Sequence, residues 1–373
     1  MKKQGINSIL TRNLFCILGL PFDKVNLSDS CSLITSDIIS NQRCFLTTPN
    51  LNFLVTAQSG SSFFKSVIDS DLIIADGMPI IWIAKLLGIP LTERVAGSDL
   101  FDKISKQKAR NTKKSVFFFG GQEGIAKQAC KELNKSSQGM SCCGFYDPGF
   151  VTVDEMSTPE IIEYINQTNP DFLLVALGAE KGQAWIQRNR KQLNATVISH
   201  LGAVVNFVAG NVIRAPVFWQ NCGLEWLWRI KQEPSLWKRY FFDGLAFLKL
   251  ICYKVFPLVF YDRWLKKSAN FKIPATINHD YINNSHIVKI TGSIHHANLA
   301  IIKQGFVNTL QAEPSSVKLD CSDLNYIDAA FLGSLLLFQR QLNEQGAQLY
   351  LQNIPKRIFR LFSLNNVLHR FQL

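Results

Sequence analysis

The 373 residues, 47% hydrophobic and 18% charged, are enough for two ordinary globular cores and exclude a disordered or low-complexity chain. A formal charge of +12 admits an anionic partner: nucleic acid, lipid or a phosphate-bearing substrate. Nine cysteines, odd in number and without a C-x-x-C pair, give no zinc or redox motif and read as reduced, mostly buried thiols.

The apolar stretch Leu14 to Phe22 is short and lacks a small-residue cleavage site, so it reads as a strand entering the fold, not a signal peptide. Thr48-Pro49-Asn50 closes the next apolar run. Leu72 to Ala75 reads as a short buried strand ending at Asp76-Gly77. A helix-like segment, Met78 to Leu87, then leads to Glu93-Arg94-Val95-Ala96-Gly97-Ser98-Asp99. Further on, Ser115 to Phe119 runs into Gly120-Gly121 and a helical stretch from Gln122 to Leu133. Asp171 to Leu177 runs into Gly178 and the helical stretch Gly182 to Leu193, and Thr196 to Leu201 into Gly202 and another helix. Strand, glycine turn and helix in repetition predict a parallel sheet with crossover helices. Asp76, Gly120, Gly178 and Gly202 then share the sheet edge where α/β folds bind ligands.

From Leu224 to Leu265 the sequence turns long, helical, aromatic and basic, with nine Lys/Arg against three acids between Arg229 and Lys267. Tyr240 to Tyr261 is greasy, yet it holds Asp243, Lys249 and Lys254, and Pro257 is expected to break it. That favours an interfacial helix over a spanning one, the plain alternative being a helix packed under a second domain. After a polar stretch from Lys266 to Asn284, a second α/β pattern begins. It comprises strands at His286 to Thr291, Ser316 to Asp320 and Gln348 to Leu351, and helices at Ala329 to Asn343 and Lys356 to Phe362.

The side chains after the early strands suggest chemistry. Asp76 is placed to act as a general base or to cap the helix near Met78. Thr48 and Asn50 suit either a substrate or turn chemistry around Pro49. Arg94 suits bidentate phosphate binding or a solvated surface. Asp99 reads as a helix cap, and Gly120-Gly121 as a tight turn or an anion-facing backbone.

The order of these blocks resembles the WecG/TagA/CpsF glycosyltransferases, as does the later block Gly202 to Arg239 (G-A-V-V-N-F-V-A-G-N-V-I-R-A-P, G-L-E-W-L-W-R, Q-E-P, R-Y). The resemblance implies a Rossmann-like α/β glycosyltransferase domain over 1–239, and the composition of 240–267 makes that stretch a basic, aromatic, amphipathic membrane-associating segment. It implies transfer, with inversion, of an N-acetylmannosamine-type or glucose-type sugar from a UDP-sugar donor to a polyprenyl-diphosphate-linked acceptor, in bacterial cell-surface polysaccharide assembly. Asp76 matches the family's catalytic aspartate, with Thr48 and Asn50 beside it. Arg94, Gly77, Gly120, Gly121, Gln183, Gly202 and Asn206 fall at donor-binding positions. Arg214, Arg229 and Arg239 fall at positions tied to the acceptor diphosphate. The family is regarded as metal-independent, so no metal and no cofactor are expected. The implied location is the cytoplasmic face of the inner membrane, peripherally held; nucleic acid is not an expected partner, since no base-reading motif accompanies the charge.

Two blocks depart from the family. Gly178-Ala179-Glu180-Lys181-Gly182-Gln183-Ala184-Trp185 stands for G-x-P-K-Q-E-x-W, so a donor contact is lost or passes to Gln183. Asn206 stands for an aspartate. Residues 275–373 resemble a STAS domain through Leu319-Asp320-Cys321-Ser322, Tyr326-Ile327-Asp328, Gly333, Gly346 and Arg360-Leu361-Phe362. Asp328 is followed by Ala329-Ala330, not by the serine that regulatory members phosphorylate. The resemblance thus implies a docking or self-association module. A second reading follows: a catalytically weakened member that scaffolds or regulates through this domain.

Overall fold

The computed structural model describes residues 12–59, 61–109, 112–282 and 285–373, in two compact units. Strands β1 (Leu14–Ile17) and β2 (Leu20–Asp23) form an antiparallel hairpin turned by Leu18 and Gly19 at positive φ, and belong with the second unit.

The first unit, residues 25–81 and 92–245, is built on β3 (Cys44–Thr47), β4 (Leu72–Ile73), β5 (Lys114–Gly120), β6 (Met140–Tyr146), β7 (Phe172–Ala176) and β8 (Val197–His200). All neighbours pair in parallel, in the order β4-β3-β8-β7-β5-β6. The central strands are apolar throughout because both faces are covered. Val116, Phe118 and Leu174 pack with Ile34, Phe101 and Leu133, whereas Phe117, Phe119 and Leu173 pack with Ile162 and Trp185. Each such side chain fully buried is worth about 1.5–3 kcal/mol. The Rossmann-like parallel sheet expected from the sequence is the fold found.

The expected glycine turns have local causes. Gly120 ends β5 at φ +89°, where a Cβ would lie 2.9 Å from the Ala176 carbonyl oxygen of β7. A side chain there would push the two strand ends apart. Strand β6 was not anticipated, since its Cys142-Cys143-Gly144 centre gives no strand pattern. It forms the sheet edge and is only half buried. Cys130 and Cys142 are disulfide-bonded, against the expectation of wholly reduced thiols. Helix Ile125–Ser136 packs on β6 and brings their Cα atoms to 5.2 Å, inside the bonding range.

The second unit comprises residues 12–24, 82–91 and 246–373, so it reaches well beyond the C-terminal stretch itself. Its sheet runs β12 (Gln348–Gln352), β11 (Ser316–Ile327), β10 (Ser285–Ile294), β9 (Thr276–Ile282), parallel except for β9. β9 lies inside the stretch read as merely polar, and helix Leu299–Gln311 was also missed. Asp328 caps helix Ala329–Glu344 by accepting from the Phe331 N–H at 2.9 Å. The β1–β2 hairpin lies on that helix, close enough that a Cβ on Gly333 would be 3.1 Å from Leu14. Tyr326 donates its hydroxyl to Asp262 at 2.6 Å, and Arg360 lies over the Tyr261 ring at 4.7 Å.

Helical structure continues from Pro234 to Lys266, and Pro257 does not break it. A π-turn at Ile251–Val255 stands just ahead of the proline and absorbs the lost N–H and the ring's bulk. The run includes an 18-residue window of mean hydropathy 1.6, long and apolar enough to cross a membrane by length and composition. Asp243, Lys249 and Lys254 lie within the same run. Trp237, Phe241, Phe242, Leu248, Tyr253 and Phe260 are each more than half exposed.

Candidate active site

The C-terminal ends of β3 and β4 lie side by side and continue to hydrogen-bond beyond the strands. Ile74 N–H donates to Thr47 O, Asp76 N–H to Pro49 O and Val95 N–H to Ala75 O, at 2.9–3.0 Å. These bonds deliver Thr48, Asn50, Asp76, Gly77 and Arg94 to one place. A Cβ on Gly77 would meet Asn50 at 3.8 Å, and one on Gly97 would meet Thr48 at 3.5 Å and Leu201 at 2.4 Å. Asn50 accepts from the Phe53 N–H at 3.2 Å, so part of its role is the turn into helix Leu51–Ser59.

Asp76 does not cap the helix that starts at Met78. Its carboxylate accepts instead from the Gly97 N–H, at 3.4 Å. Burial pushes its carboxyl up to about 6, with Arg94 and the Gly97 N–H pulling against this and Glu225 and Asp99 adding to it. A carboxylate poised there is a competent proton acceptor near neutral pH.

Arg94 is not a solvated arginine: it is 13% exposed, with Nη1 2.5 Å from Glu225 Oε2 and Nη2 3.2 Å from Asp99 Oδ2. Burial alone would lower its pKa, but the hydrogen bond and charge of Glu225 outweigh this and hold it above the usual value. Asp99 proves not to be a cap, since the helix Gly97–Lys106 is capped at Ala96 without a side-chain bond. It pairs with Arg94 and stands 2.5 Å from Arg214 Nη2, an ion pair off-line for a hydrogen bond.

Gly121 neighbours Val205 and so lies against the helix Gly202–Val208 that carries Asn206, and Gly202 opens that helix beside the Leu177 carbonyl. Arg229 lies over the Phe207 ring at 5.7 Å and 3.7 Å from Glu233, its Nε without a hydrogen-bond partner. Arg239 pairs with Asp243 at 3.8 Å, and Asp243 accepts from Asn52 at 3.4 Å. Gln183 is apart: fully buried in helix Ala179–Asn189, with neither amide atom hydrogen-bonded.

Residues 15–258 match the family described as the WecG/TagA/CpsF family of glycosyl transferases. This chain belongs to that family. Among relatives of the WecG/TagA/CpsF family, an N-acetylglucosaminyldiphosphoundecaprenol N-acetyl-beta-D-mannosaminyltransferase of Bacillus spizizenii is 30% identical over 207 residues, 56% of this chain and 78% of that protein. Proteins of the same name from Bacillus subtilis and Staphylococcus aureus are 25% and 24% identical, covering 60% and 64% of this chain and 85% and 91% of theirs. Residues 280–369 match a STAS domain, so the C-terminal module is the one expected.

The departure at Gly182 has a steric partner. A Cβ at 182 would fall 2.2 Å from His200 Cδ2, so the imidazole at the end of β8 occupies the space that a side chain on this helix needs. His200 Nε2 donates to the Leu177 carbonyl at 2.5 Å, and burial holds the ring below the usual histidine range, hence neutral at pH 7. Sequence reasoning gave no role to His200 or Glu225. Glu225 carried one signal, an acid opening a helix inside G-L-E-W-L-W-R, but the helix dipole explains that equally well. Its partner Arg94 lies 131 residues away.

Proposed function

We propose that this protein is an inverting glycosyltransferase that moves a sugar from a UDP-sugar to a polyprenyl-diphosphate-linked saccharide at the cytoplasmic face of the membrane. The observation that carries the reading is Asp76: a carboxyl pushed up to about 6, beside an arginine, at the C-terminal edge of the sheet in a family of glycosyl transferases. In this mechanism the acceptor hydroxyl attacks the anomeric carbon, the C–O bond to UDP breaks on the opposite face, and the hydroxyl proton passes to Asp76. Thr48 and Asn50 orient the donor sugar. Arg94 receives the donor diphosphate, supported by backbone N–H groups near Gly77, Gly120, Gly121 and Gly202, with Asn206 at the donor side. Arg214 and Arg239 serve the acceptor diphosphate. The charge that builds on departing UDP is met by guanidinium groups, without a metal ion. The activity that the relatives' names give them supports N-acetylmannosamine as donor sugar and an N-acetylglucosamine-bearing lipid diphosphate as acceptor.

The exposed aromatic residues of the 234–266 run, flanked by lysine and arginine, support lying in the lipid interface near such an acceptor. The test is a panel of UDP-sugars with a short-chain polyprenyl-diphosphate-N-acetylglucosamine acceptor, read by UDP release and product mass. Turnover of one donor, lost in Asp76→Asn, is the expected result. UDP binding without turnover of any donor would instead favour the scaffolding reading, for which the sealed Gln183 is the supporting observation.

A further inference from the structure

Helix Glu225–Gln232 delivers its first side chain into the site, and the resulting charge balance is informative. Asp76, Asp99 and Glu225 face Arg94 and Arg214, one net negative charge before any substrate arrives. Both Nη atoms of Arg94 are already met by carboxylate, Nη1 by Glu225 and Nη2 by Asp99. A nucleoside diphosphate brings at least two further negative charges to the same guanidinium. Like charges held close in a partly buried site repel strongly, so the two anions compete for Arg94.

The exchange has a second half on the same helix. Arg229 stands four residues after Glu225, the spacing and order in which glutamate and arginine pair best along a helix. Arg229 is part-buried, its Nε lacks a hydrogen-bond partner and its ion pair with Glu233 is loose at 3.7 Å. A carboxylate leaving Arg94 therefore finds a cation one turn away.

Resting on the reading of Arg94 as the diphosphate contact, we infer that Glu225 is a placeholder for the donor diphosphate. It holds Arg94 in the empty site, is displaced by the diphosphate, and passes to Arg229. Glu225 is then a positioning residue whose release reports that Arg94 is occupied.

Calorimetric titration of UDP into the full-length protein tests this, with thermal melting used to verify that each variant is folded. Glu225→Gln, nearly isosteric and uncharged, should bind UDP about tenfold more tightly, the effect of removing roughly 1.4 kcal/mol of competition. Arg229→Gln should weaken UDP binding in the wild-type background and leave it unchanged in Glu225→Gln, because the acceptor of the displaced carboxylate is then redundant. Unchanged or weaker UDP binding by Glu225→Gln would overturn the placeholder and make Glu225 a fixed support of Arg94. Arg94→Ala separates the two levels. Normal UDP affinity in that variant removes the parent reading. Weakened affinity alongside an untightened Glu225→Gln removes the exchange alone.

Discussion

At the residue scale, Asp76 combines two roles that pull in opposite directions. Its carboxyl stands at about 6 against an ordinary value near 3.8, so the folded protein holds this proton more firmly than the unfolded chain. Its contribution to stability is therefore fully present below about pH 4 and is lost as pH rises through 6. Above that, ionised Asp76 is a cost to the fold and an asset to the reaction. Asp76→Asn should be more stable than wild type at pH 7.5, by on the order of 1 kcal/mol after solvent screening, and so melt higher. It should also lose about 10²–10⁴ in turnover, and wild-type kcat/KM should fall as pH drops below 6. A variant both inactive and less stable would mark Asp76 as structural. The Gly182–His200 contact makes an equally local prediction. Gly182→Gln restores a side chain where the imidazole sits and should cost about 1–3 kcal/mol by overpacking. The same change beside His200→Gly should cost much less, and four thermal melts closing a double-mutant cycle would measure the coupling.

At the element scale, the helical run 234–266 is the piece whose composition and surroundings disagree most. Trp237, Phe241, Phe242, Tyr253 and Phe260 face solvent, whereas Val255, Leu258 and Val259 are buried, so the exposed side chains can be changed without opening a core. Replacing Phe241, Phe242 and Leu248 with serine should reduce co-sedimentation with anionic vesicles several-fold while leaving the melting temperature within a degree or two. Release of the wild type by alkaline carbonate is expected of an interfacial helix; retention would make it a spanning one. This element also shows what a sequence discloses. Helical periodicity and basic flanks were legible. The continuity across Pro257 was not, because a π-turn depends on backbone bonds that leave no residue signature. The same division holds in the sheets. Phe117 to Phe119 and Leu173 to Val175 announced themselves as runs buried on both faces. The edge strands β6 and β9 did not, since an edge buries little and tolerates Cys-Cys-Gly or Asn-His-Asp. At the site, Thr48, Asn50, Asp76 and Arg94 were legible because strand ends mark the crevice. Glu225 and His200 were not, because their partners are remote in the chain.

At the scale of the whole molecule, the compact units do not follow the linear order of motifs. The β1–β2 hairpin lies at the start of the transferase match, yet it packs with the C-terminal STAS module. Leu14, Phe15, Ile17, Leu20 and Phe22 are at most 3% exposed, and helix Ala329–Glu344 forms much of their cover. Lys303 adds a bond to the Arg12 carbonyl at 2.7 Å. The module thus spends apolar surface on its own chain, which fits poorly with a freely detachable docking domain. Removing residues 275–373 uncovers five large side chains, each worth about 1.5–3 kcal/mol when buried, against a total domain stability of only about 5–15 kcal/mol. The truncated chain should therefore be aggregated, or soluble only with strong binding of a hydrophobic dye and no cooperative melt. The same deletion combined with serine at Leu14, Phe15 and Leu20 should recover part of the soluble fraction. A truncated protein that melts cooperatively and binds UDP like the full chain would mean that the hairpin finds other cover, and would free the STAS module for a separate partner.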